Sequence, residues 1–215
     1  GHFHPWGRAR PGEGHDRAPD GWFAFEPGVD PLGPSPLDMS RLNHRPAGSL
    51  GRVQKDGDRL VFEKTGDTVR FWGVTAVSSS WMVDKKSMDY LAKRLAKMGV
   101  NMVRFHVAPY YETQPGPQTD GVHYLAAALK REGIYCGFNW YCLAAARVQE
   151  SWGLEGFEPG DRPHSLHLFY PPLQKLYRQW ARTLFGTVNP YTGMTLAEDR
   201  ATAYIELIAE DNYLF

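Results

Sequence analysis

The residues able to do chemistry sit at a few points of the chain, and the most suggestive lie at its end. A-Y-I-E-L-I-A-E-D-N-Y-L-F, Ala203 to Phe215, is an apolar run with Glu206 in its middle and Glu210–Asp211 at its tip. A carboxyl delivered by the end of a buried strand, beside a like charge, has the setting of a general acid or base. The same residue at a fraying strand end is an exposed carboxylate and nothing more. Glu206 reads as a structural partner for an arginine. Earlier, N-M-V-R-F-H-V-A offers Arg104 and His106, and I-Y-C-G-F-N-W-Y offers Asn139 and Tyr141. Arg104 and His106 fit a satisfied core pair or a group that positions a ligand. Tyr110, Tyr111, Trp140 and Tyr141 serve equally as packing or as platforms for a sugar ring.

Other reactive types carry less. Cys136 and Cys142 have neither a disulfide framework nor a zinc spacing, and no His/Asn pattern accompanies them as a nucleophile would require. They read as buried or partly buried thiols. His2, His4 and His15 match no common ligand spacing, so no metal is expected.

These groups need a scaffold, and 215 residues suffice for one sizeable domain. The formal net charge is zero, which leaves no electrostatic footprint for nucleic acid or an anionic membrane. No apolar run reaches the roughly 20 residues that a spanning helix needs. Residues 1–50 are rich in Gly, Pro and Arg and read as an extended, irregular arm along the surface of something else. Residues 51–70 read as a β-hairpin lead-in, with strands at 52–55 and 59–62 joined at Asp56-Gly57.

From 71 on the pattern changes. F-W-G-V-T-A (71–76) is a short apolar strand, and Asp84 can cap a helix over 85–98 that Gly99 ends. A second strand (101–108), a helix (123–132), a third strand (134–140), a helix opened by Pro171 and Pro172, and a fourth strand (203–209) follow. Continuous apolar strands alternating with helices indicate a parallel sheet. Two architectures fit: a doubly wound sheet or a (β/α) barrel. The stretch after the first strand, V-T-A-V-S-S-S-W, lacks the Gly-x-Gly of a dinucleotide site. In a barrel, function collects at the strand ends, where Trp72 to Ala76, Arg104, His106, Asn139, Tyr141 and Glu210 are expected.

F-W-G-V, then L-A-K-R-L-A-K-M-G-V-N-M-V-R-F-H, then N-P-Y-T-G-M-T-L-A-E-D and A-Y-I-E-L-I-A-E-D-N resemble the clan A glycoside hydrolases. These are the cellulase-like (family 5-type) and β-galactosidase-like TIM-barrel enzymes. The arm P-S-P-L-D-M-S-R-L-N-H-R-P-A-G also resembles the lead-in of one bacterial branch, so the resemblance runs from about Gly21 to the end. It implies retaining hydrolysis of β-glycosidic bonds without a cofactor, on an oligo- or polysaccharide. Glu210 then takes the place of the general acid/base. Arg104 and His106 would position substrate and nucleophile, and Asn139, Tyr141 and Trp72 would line the sugar site. Retaining chemistry needs one carboxyl to protonate the leaving oxygen and a second, about 5–5.5 Å away, to attack.

Two departures shape the expectation. Ala209 stands where the family usually places an asparagine before the acid/base. The fourth strand is also the last, so the sequence reads as a half barrel of strands one to four, without the nucleophile strand. Such a piece should pair with a second copy or with a complementing C-terminal half. The alternative is an inactive half-barrel that binds saccharide or serves assembly. Compartment is not legible, and a secreted or periplasmic bacterial setting is the favoured expectation.

Overall fold

A computed structural model describes residues 28–106, 111–139 and 146–210. Strands β1 (Val53–Asp56) and β2 (Arg59–Phe62) form the antiparallel hairpin. Asp56 pairs with Arg59, so the loop is Gly57-Asp58, and Gly57 supplies the positive φ of 59° that the tight turn needs.

Strands β3 (Gly73–Ala76), β4 (Met102–His106), β5 (Tyr135–Asn139) and β6 (Thr202–Glu206) make one parallel sheet in chain order. Helices α1 (Lys85–Lys97), α2 (Pro117–Arg131) and α3 (Pro171–Gly186) connect them. Helix α1 starts where expected, because the Asp84 carboxylate accepts from the Ser87 amide at 2.9 Å. Helix α2 begins earlier than its apolar spacing indicates. Its polar first turn is held by the Glu112 carboxylate, which accepts from the amides of Gly116, Gln118 and Thr119 at 3.2, 2.9 and 2.8 Å. An anion there satisfies orphan donors and complements the helix dipole. Strand β6 stops at Glu206, short of the expected 209, and Leu207 and Ile208 are exposed.

Alternation along the strands divides the sheet into two faces. Val103, Phe105, Cys136 and Phe138 bury one face against all three helices, with Trp81, Phe105, Phe138 and Phe185 forming a continuous aromatic spine. On the other face, Met102 and Tyr135 join Phe62, Val69, Ala47 and Ala201 in a separate apolar cluster. The hairpin segment therefore packs beneath the N-terminal end of that face. All three helices lie on one side of a sheet whose strands follow chain order, whereas a doubly wound sheet places helices on both sides. The arrangement is consistent with a partial barrel.

The described part of the arm, residues 28–50, docks on this chain's own helix ends. Asp30 accepts from Arg94 and Lys97 at 2.7 and 2.9 Å, and the Met39 amide donates to the Lys97 carbonyl. Asn43 Nδ2 reaches the carbonyls of Val100 (2.9 Å) and Glu132 (3.3 Å), beyond the ends of α1 and α2. The left-handed Gly133 (φ 77°) lets this strap approach: a Cβ there would lie 2.8 Å from the His44 carbonyl oxygen.

Candidate active site

The polar residues of the sheet fall in two rows above the apolar floor. Register places Thr75, Arg104, Gly137 and Tyr204 side by side across β3 to β6. The next row toward the C-terminal ends is His106, Asn139 and Glu206. Successive same-face positions on parallel strands therefore bring Arg104, His106, Asn139 and Glu206 together.

Arg104 reaches diagonally across β5 to Glu206. Its Nε donates to Oε1 at 2.8 Å and its terminal nitrogen to Oε2 at 2.6 Å, a bidentate pair in which both side chains are about a third exposed. On the strand between them Gly137 has no side chain, and the Tyr204 ring lies over it: a Cβ there would sit 2.3 Å from that ring. Hydrogen bonding to Arg104 holds the Glu206 carboxyl below the usual carboxylate range, with smaller help from the charges of Arg104 and His106. The same pairing raises the Arg104 guanidinium above its ordinary value. The expected role of Glu206 as an arginine's partner is thus what the geometry displays, and the arginine is the one expected to position substrate.

His106 and Asn139 are opposite one another on β4 and β5. Asn139 is fully buried, and its Nδ2 lies 2.8 Å from His106 Nδ1. An amide nitrogen is a donor, so Nδ1 of the imidazole accepts. This hydrogen bond gives His106 a partner, as the alternative of Arg104 and His106 being satisfied core residues expects.

Glu210 lies beyond the strand, not on it. It is exposed in a bend after β6, with φ of 54°, a conformation uncommon outside glycine. Its backbone carbonyl is 3.0 Å from His164 Nε2, so the loop preceding α3 fixes where the chain turns. Ala209 shares that bend. Trp72 is not brought to this cluster. It precedes β3, is bonded at the backbone to Asn101 at the start of β4, and stands 69% exposed at the N-terminal end of the sheet. Its expected place among the sugar-lining residues came from reading the strand as 71–76 without separating its two ends.

Tyr141, Trp140, Tyr110, Asp211, Cys142 and the three N-terminal histidines lie outside the described residues. Tyr111 packs against Trp152 and Trp180 at ring distances of 4.7 and 5.1 Å, a packing role. Cys136 is buried in the helix-side core, and burial pushes its thiol far up, which suits packing rather than nucleophilic work. Among the described residues no group of three or more His, Cys, Asp or Glu is placed to hold a metal ion. No helix there is long and apolar enough to cross a membrane. His164 and Gly137 escaped the reading of the sequence. An isolated glycine inside an apolar strand run signals close approach, and I-Y-C-G-F-N-W carried that signal.

No family model matches this chain, and no curated protein matches it in sequence. Among solved structures, the endo-1,4-beta-mannanase from Rhizomucor miehei superposes with a TM-score of 0.56 at 11% identity, covering 74% of this chain and 48% of that one. The fold resembles that of about half of this mannanase. A second match is the catalytic domain of Thermobifida fusca endoglucanase Cel5A (E5), at 20% identity, TM-score 0.47, and coverage of 80% and 47%. This chain spans about half the length of both structures. The likeness is one of fold, and function has to be argued from the site.

Proposed function

We propose that this chain forms the N-terminal half of a (β/α)8 glycoside hydrolase barrel that cleaves β-linked saccharides with retention. The observation that carries the reading is the cluster of Arg104, His106, Asn139 and Glu206 toward the C-terminal ends of adjacent parallel strands, on a fold resembling a mannanase. In barrel enzymes that end is where chemistry collects. Glu210 protonates the leaving glycosidic oxygen. A carboxylate from the other half of such a barrel attacks the anomeric carbon, and water releases the glycosyl intermediate with Glu210 now acting as base. Glu206, held ionised by Arg104, cannot donate that proton, so it orients Arg104 at the floor of the cleft.

A second reading is favoured by two other observations. Arg104 is already engaged by Glu206, and apolar side chains along and beyond β6 (Ile205, Leu207, Ile208) are at least a third exposed. On that reading the chain is an assembly or saccharide-binding module completed by a second copy or a complementing half. Aryl β-glycosides and β-1,4-linked gluco- and manno-oligosaccharides separate the two. Release of sugar by the chain that Glu210→Gln abolishes, and Glu206→Gln only weakens, supports hydrolysis. Dimerisation or saccharide binding with no turnover supports the module, and neither result would sink both.

A further inference from the structure

The cleft floor contains a hydrogen bond whose direction has chemical consequences. Asn139 is 0% exposed, donates through Nδ2 to His106 Nδ1 at 2.8 Å, and leaves Oδ1 without a partner among the described residues. The neutral imidazole has one N–H, so a ring whose Nδ1 accepts must carry its proton on Nε2. Turning the amide over would pair Oδ1 with an Nδ1–H but would strip the buried nitrogen of the acceptor it now has. Orphaned buried N–H groups are rarer than under-satisfied carbonyl oxygens. The observed direction is thus the one the burial of Asn139 favours.

We propose that Asn139 is a positioning residue that acts through His106, fixing the imidazole as an Nε2–H donor aimed at ligand hydroxyls. His106 is only partly buried while Asn139 is fully enclosed, so the imidazole presents itself and the amide works from behind. Among the described residues the charged groups near the ring are Glu206, which an imidazolium at His106 would help keep ionised, and Arg104, which neutralises that carboxylate through two hydrogen bonds. With Glu206 already committed to Arg104, the imidazole proton is left for a hydroxyl oxygen. The use of that proton on a sugar rests on the glycosidase reading; the tautomer does not.

The test is a long-range 1H–15N correlation spectrum of the full chain at neutral pH, with the His106 signals assigned by His106→Gln. The wild-type ring should show a protonated, pyrrole-type Nε2 and an unprotonated, pyridine-type Nδ1. In Asn139→Asp the new carboxylate accepts, so the proton should move to Nδ1, or the ring should become doubly protonated. A wild-type ring protonated at Nδ1 would overturn the proposal, as would an unchanged pattern in Asn139→Asp. The wild-type spectrum decides even where the buried substitution impairs folding. Because no saccharide is present, failure of the hydrolase reading would show separately, as absent saccharide binding with the Nε2–H tautomer intact.

Discussion

The two ends of this parallel sheet are built on opposite terms. At the N-terminal end, Met102 and Tyr135 sit on Phe62 and Val69, and the strap at 30–47 closes over the ends of α1 and α2 with backbone and amide hydrogen bonds. At the C-terminal end the same face turns polar: an Arg–Glu pair a third exposed, an imidazole, and a buried amide whose oxygen has no partner among the described residues. One end is closed by apolar burial and satisfied carbonyls; the other keeps charge and hydrogen-bonding capacity facing outward. On the proposed reading the difference is the division between stability and function that barrel folds maintain, and it makes separable predictions.

The largest effect should come from the closed end. Gly133→Ala forces a left-handed residue to carry a Cβ 2.8 Å from the His44 carbonyl oxygen and from Asn43 Cβ, neither of which is a flexible tip. A loss of about 2–3 kcal/mol is expected, read as a lower midpoint in denaturant unfolding. Asn43→Ala removes the amide that ties Val100 to Glu132 and should cost about 1–2 kcal/mol. A cost equal to that of an exposed-surface change would mean the strap is not holding the helix ends.

At the open end, smaller numbers are expected from equally direct contacts. Gly137→Ala places a Cβ 2.3 Å from the ring of Tyr204, but that ring is 38% exposed and can swing outward. About 1 kcal/mol is predicted, with ligand binding changed more than stability because Tyr204 leaves its place beside Arg104. A loss matching Gly133→Ala would erase the contrast between the ends. Glu206→Gln should cost still less, no more than about 1 kcal/mol, since solvent screens a pair this exposed. Its signature is in pH dependence. The folded carboxyl lies below its ordinary 4.5, so its contribution is fully present above that value and fades as pH falls through the folded value. Wild type should therefore lose more stability on acidification than Glu206→Gln, and parallel curves would contradict the pairing.

How legible this was from sequence depended on the range of the interaction. Strand and helix order, the Asp84 cap and the hairpin are local, and propensity and spacing displayed them. Glu112 capping α2, and Asn43 bridging Val100 and Glu132, are contacts across the fold that no periodicity encodes. The end of β6 was overestimated because Leu207 and Ile208 are apolar enough to continue a strand but lie exposed beyond its end. Arg104, His106 and Asn139, expected near strand ends, lie together on one face there because strand alternation and register place them so. Trp72 was expected with them but stands at the other end of the sheet, since composition marks a strand without marking which end carries chemistry.

Backbone amide shifts during titration with β-1,4-linked gluco- or manno-oligosaccharides test the central claim most directly. The account predicts perturbations concentrated at His106, Asn139, Glu206 and their strand-end neighbours, with the hairpin at 53–62 unmoved. Perturbations centred on the hairpin, or none anywhere at saturating saccharide, would contradict the assignment of function to the C-terminal end of this sheet.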